Sequence, residues 1–216
     1  MASMTARLNN NQYPFQPAVV GPIPMPRWQH GDIAFLKRAD QFSQVERAEF
    51  LDSRRIQVGA TGHPVIILDR SNDLRYYLIT AVSAYSSSEF NNYLPPWKQS
   101  AHRRKNVNGF RAFEGSAKPN NKHQHLRLAD DKQWPKVEAS WVYIYRPYVV
   151  PASTLISYTK SKSQLHMEPE SLQDLLGHMK AKSWRFRKQK KEISTRVAPK
   201  PAARKYLTNW RTNDKE

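Results

Sequence analysis

The sequence predicts a mainly β (α+β) domain, a small barrel or sandwich of short strands followed by one C-terminal helix. Three observations carry this expectation. Apolar, β-branched runs of strand length alternate with turn residues between positions 31 and 151. One stretch after residue 167 repeats leucines at the helical spacing. The two ends of the chain fit neither pattern, the first being rich in proline and the last in Lys and Arg.

Taken in order, residues 1–27 form a Pro/Asn-rich segment without periodicity. Proline removes a ladder donor and fixes φ, so such a run is expected to be an extended, disordered connector. Its longest apolar run, Ala18-Val19-Val20, is too short for a secretory signal. With only two Arg and many prolines it makes a poor amphipathic presequence. The domain is drawn over 28–179. Gly31-Asp32 turns into a buried strand, Ile33 to Leu36. Phe42 to Leu51 places apolar residues among charges as a short helix would. His63 to Asp69 and Tyr76 to Val82 are strand-like runs joined by the turn signal Asp69-Arg70-Ser71-Asn72-Asp73, hence hairpin partners. Residues 86–136 read as a long polar insertion, a length that marks function or disorder. Ala139 to Ile144 is strand-like again, then Tyr148 to Pro151, and from Ala152 to Tyr158 helix and strand cannot be separated. Glu168-Pro169-Glu170-Ser171 opens the helix, and Leu172, Leu175, Leu176 and Met179 form its apolar face.

Composition narrows the function classes. The chain has 216 residues and no cysteine, which excludes disulfides, thiol catalysis and Cys-based metal sites. No stretch approaches the roughly 18 apolar residues of a membrane span. Lys and Arg total 35 against 18 Asp and Glu, a formal net charge of +17. More than half of the excess lies in residues 180–216, where thirteen basic residues face three acidic ones. That segment reads as a basic tail, and such tails bind nucleic acid, direct nuclear import or contact anionic membrane. The expected location is intracellular, cytoplasmic or nuclear.

Within the tail, Trp184-Arg185-Phe186-Arg187-Lys188-Gln189-Lys190-Lys191 interleaves aromatics with cations, and Arg204-Lys205-Tyr206 and Trp210-Arg211 repeat the mixture. The insertion adds Arg103-Arg104-Lys105 and Phe110-Arg111. Cations attract phosphates through counterion release, and aromatic or guanidinium planes stack on unpaired bases. These residues are therefore the expected nucleic-acid contacts. His102, His123 and His125 suggest a metal, since alternate residues of an extended segment share a side. No recognisable spacing supplies a further ligand, so no metal or other cofactor is expected. Phosphate-loop, nucleophile-elbow and zincin motifs are also absent from the sequence.

The order of certain segments resembles the MazF/PemK-like family. The series is Gly31-Asp32-Ile33, Gly62-His63-Pro64-Val65-Ile66-Ile67-Leu68, Ile79-Thr80-Ala81, Ser140-Trp141-Val142 and Met167-Glu168-Pro169-Glu170-Ser171-Leu172. The resemblance implies a compact SH3-like β-barrel with a C-terminal helix. Many members are ribosome-independent endoribonucleases, the toxin halves of toxin–antitoxin pairs. It also implies two catalytic positions, an Arg before the proline of the second core strand and a Thr or Ser ending the third. Thr80 matches the latter, and His63 stands where the Arg is expected. Histidine can move a proton near neutral pH but is not a permanent cation. The sequence-level function is thus nucleic-acid association, most plausibly with RNA, and metal-independent cleavage at His63 and Thr80 is the activity that the resemblance implies. The alternative is a non-enzymatic accessory protein whose barrel binds a protein partner and whose tail serves localisation.

Overall fold

A computed structural model describes residues 27–53 and 55–195. The Pro-rich segment up to residue 26 and the expected contacts Arg204, Lys205 and Arg211 lie outside these residues. Among the described residues, six strands form one antiparallel sheet: β1 (Ile33–Leu36), β2 (Pro64–Arg70), β3 (Tyr76–Ser83), β4 (Phe110–Ala112), β5 (Trp141–Pro151) and β6 (Leu155–Ser157). Their order is β4-β5-β3-β2-β1-β6. The order has two ends, so the sheet is mainly β but not closed into a barrel. Three α-helices among the described residues accompany it, α1 (Gln44–Glu46, continued by a wider turn to Asp52), α2 (Pro169–Lys182) and α3 (Trp184–Thr195). Among the described residues no helix is long and apolar enough to cross a membrane.

The expected hairpin is present. Ser71 closes it, accepting from the Tyr76 amide at 3.0 Å and donating to Asp73 at 2.6 Å. Alternation along β2 and β3 then feeds two cores, one on each face. Ile66, Leu68, Leu78 and Val82 join the first core, which α2, α3 and the returning insertion cover with Leu175, Met179, Phe186, Phe113, Leu126 and Trp134. Val65, Ile67, Tyr77 and Ile79 join the second, capped by Phe42, Phe50 and Ile56 of the segment after β1. The ambiguous stretch 152–158 resolves into a short turn and β6.

Three sequence expectations are corrected. The run 139–144, from Trp141 onward, and the run 148–151 are parts of one strand, β5, which continues through Pro147. The ladder tolerates that proline because pairing with β3 is interrupted beside it: Thr80 pairs with Pro147, but Val82 already pairs with Val142. The insertion 86–136 is not a bare polar loop. It supplies β4 and a third apolar cluster, in which Phe110 and Trp141 meet Tyr85, Tyr93 and Trp97. Finally, the folded part extends past residue 179. Ser183, itself buried, accepts from the Phe186 amide at 3.2 Å and so caps α3. Phe186 and Ile193 then sink into the first core. The cations of α3 occupy its outer face and conceal a two-residue apolar stripe.

Candidate nucleic-acid interface

His63 ends the turn that leads into β2, and the turn is held against β1. The Leu36 amide donates to the His63 carbonyl at 3.0 Å, and the Gly62 amide donates back to Leu36 at 3.0 Å. Gly62 adopts φ +72°, and a Cβ there would meet the Arg38 side chain at 3.1 Å. A glycine at this position lets the chain turn sharply enough to present His63 at the sheet's end.

The interruption in β5 builds the opposite wall. Because β5 spends extra residues between Pro147 and Val142, Tyr143 and Arg146 swing over the end of β3 beside Tyr148. The segment 100–106 of the insertion supplies the third side. The result is a cavity of about 360 Å³ in which His63, His102, Lys105 and Arg146 meet Tyr85, Tyr143 and Tyr148. No Asp or Glu among the described residues lines it. The Lys105 ammonium lies 4.3 Å from the Tyr85 ring centroid and 5.7 Å from that of Tyr143. It is also 3.3 Å from His102 Nδ1. Arg146 donates to the Gln57 side chain at 2.7 Å.

Burial without a counter-charge disfavours the charged forms of Lys105, His63 and His102. Burial holds Lys105 down to about 8, helped by the nearby Arg146 guanidinium. Burial also lowers His63, against a hydrogen bond with the Gly59 backbone that acts the other way. His102 is lowered by burial and by the Lys105 charge. Burial pushes the phenols of Tyr85, Tyr143 and Tyr148 upward, so they stay neutral donors. Such a set of cations and hydroxyls, lacking its own carboxylate, is suited to an anion.

Thr80 contributes to the cavity wall, but its side chain belongs elsewhere. Residues paired across strands share a face, and Thr80 pairs with Ile66, a member of the first core. Its hydroxyl is buried without a hydrogen-bond partner among the described residues. The neighbouring Ala81 pairs with Val65 of the second core, the face on which the cavity opens. His63 and Thr80 thus approach the same place from opposite sides of the sheet.

The other expected contacts divide. Lys105 lies in the cavity, whereas Arg103 and Arg104 are exposed on the turn before it. Arg111 is 1% exposed and paired with Asp174 of α2, so it is a structural cation and not a surface contact. Phe186 is 2% exposed and has no face to offer a base. Trp184 is exposed, with the Arg185 guanidinium 5.7 Å from its ring. Arg187 donates to the Lys180 carbonyl, Lys188 pairs with Glu192 at 3.9 Å and Lys190 with Asp69 at 3.7 Å, leaving Lys191 exposed. The three histidines considered for a metal lie in different settings: His102 in the cavity, His123 stacked on His178, and His125 on the Ser116 carbonyl. Arg146, Tyr85 and Tyr143 escaped sequence reasoning. An Arg-Pro step inside an aromatic strand run was the one available signal.

Comparison with known protein families, curated proteins and solved structures finds no match to this chain.

Proposed function

We propose that the protein binds RNA and that the cavity at the end of β2 and β3 is its phosphodiester site. The observation that carries this reading is the convergence of Lys105, Arg146, His63 and His102 in a partly enclosed space whose lining, among the described residues, has no acidic residue. A guanidinium offers a planar fork to phosphate oxygens, and an ammonium offers a point charge. Both are worth more where water is partly excluded. A phosphodiester entering the cavity relieves the repulsion between Lys105 and Arg146 and restores the charge that burial weakens. The exposed cations Arg103, Arg104, Arg185 and Lys191 add a non-specific field around it.

The resemblance to the MazF/PemK-like family and its SH3-like barrel remains part of this proposal at the level of segment order. The function assigned is binding and not cleavage. The Thr80 hydroxyl packs on the core side of β3, away from the face where His63 meets the cavity. Proton transfer from a ribose hydroxyl needs its partners within hydrogen-bond reach of one another.

The test is fluorescence anisotropy of a labelled RNA with the full chain across a salt series. Lys105→Ala and Arg146→Ala should each weaken binding and lower the salt slope by about one phosphate contact. Lys122→Ala, at an exposed cation outside the cavity lining, serves as the comparison. Wild-type affinity and slope in both cavity variants would refute the site. An RNA pool cut by the wild-type protein in EDTA would refute the assignment of binding alone.

A further inference from the structure

We propose that the groove on the other side of the same sheet end is a base-stacking subsite, which takes an unpaired nucleobase next to the phosphodiester in the cavity. This inference rests on the RNA reading above.

The groove has a volume of about 980 Å³ and shares His63, Ser83, Tyr85 and Ser86 with the cavity. The two spaces therefore meet at the end of the β2–β3 hairpin. Alternation fixes what the groove is made of. Phe35 pairs with Pro64, one residue beyond the pair Ala34–Val65, and so points to the opposite face from the cavity. Tyr158, just after β6, stacks on Phe35 with ring centroids 6.2 Å apart and planes 9° from parallel. Trp134 of the returning insertion stacks on Tyr158 at 6.1 Å and 19°. All three rings line the groove. Phe35 and Tyr158 are only half-buried, whereas Trp134 is buried and is itself stacked on Phe113 at 4.5 Å. The row is thus anchored in the core at one end and open at the other.

Charge selects the occupant. Arg38, Lys136 and Lys160 border the rings, and the one acidic residue among the described residues of the lining, Asp40, is paired with Arg38 at 3.5 Å. An apolar peptide gains nothing from that rim. A nucleic-acid strand gains from both parts, since stacking on aromatic rings is tolerant of base identity and cations follow the backbone. A base must leave its duplex partner to present a face here, so the occupant is an unpaired segment of RNA.

The test compares three labelled probes on the full chain. These are a mixed-sequence single strand of about ten nucleotides, an abasic strand of the same length and charge, and the corresponding blunt duplex. The single strand should bind at least about fivefold tighter than the abasic strand and the duplex. Phe35→Ala, which removes the ring at the open end of the row, should weaken single-strand binding about 5- to 100-fold, the size of one lost base–aromatic stack, and leave abasic-strand affinity unchanged. Tyr158→Phe should keep the wild-type preference. Equal binding of all three probes, with Lys105→Ala weakening each, would overturn the base subsite while leaving the phosphodiester site standing. If no probe binds and Lys105→Ala changes nothing, the RNA reading itself fails. Should Phe35→Ala not fold by thermal melting, the abasic comparison on the wild-type chain still decides.

Discussion

Ending the chain at Ser183 should unfold it far more easily than ending it at Thr195. The shorter chain loses α3 and with it Phe186 (2% exposed) and Ile193 (fully buried). Burying such side chains is worth about 1.5–3 kcal/mol each, so their loss costs about 3–6 kcal/mol before counting the newly bared Leu175 and Met179. A domain has about 5–15 kcal/mol in all. For a urea m-value near 2 kcal/mol/M, the midpoint should fall by about 2 M. Tryptophan fluorescence in urea reads this directly on the two truncated chains. Equal midpoints would refute the placement of α3 in the core and return residues 184–195 to a solvated tail.

Four further outcomes are expected. Asp174→Asn should destabilise by about 1–3 kcal/mol, because Arg111 stays buried with Nε and Nη1 unpartnered, and urea unfolding measures it. Stability should fall as pH drops from 6.5 toward 4. The buried His178 is held down to about 4 by burial, then by His123, Arg111 and Lys182 and against Asp174, so between these values the unfolded chain takes up the proton that the folded chain refuses. A His178→Gln variant should lack that part of the pH dependence in thermal melts at each pH. RNA affinity should weaken as pH rises through about 8, where Lys105 loses its proton, by at most about tenfold per pH unit for one coupled proton. Anisotropy from pH 7 to 9 follows it, and Lys105→Arg should flatten the profile. Gly62→Ala should cost about 1–2 kcal/mol through its left-handed φ and crowd Arg38, which a thermal melt detects.

How far the sequence speaks depends on how strongly a segment repeats. β2 and β3 were legible because Val65 to Leu68 and Tyr77 to Val82 are unbroken apolar, β-branched runs of strand length, and α2 because Leu172, Leu175, Leu176 and Met179 repeat at the helical spacing. The hairpin turn was legible from its Asp, Ser and Asn. α3 was not, because Phe186 and Ile193 are two apolar residues in a run of Lys and Arg, and charge dominates any local average. β4 was not, because Phe110-Arg111-Ala112 is too short to show alternation and exists only by pairing with β5. Of the candidate site, His63 and Lys105 were singled out for separate reasons and meet only in three dimensions. Arg146, Tyr143 and Tyr85 join them through the interrupted β3–β5 ladder and the path of residues 100–106, features of tertiary pairing that no single segment encodes. Arg111 was misjudged because a buried, paired arginine and an exposed one are identical in sequence.

The central claim is that an RNA phosphate occupies the cavity beside Lys105. Amine acetylation of the full chain, read residue by residue by mass spectrometry with and without saturating RNA, tests it most directly. With its ammonium held down to about 8, Lys105 should react readily near neutral pH in the free protein and be strongly protected by RNA. Lys122, exposed and outside the cavity lining, should react alike in both states. Lys105 acetylated at the same rate with RNA bound would contradict the account.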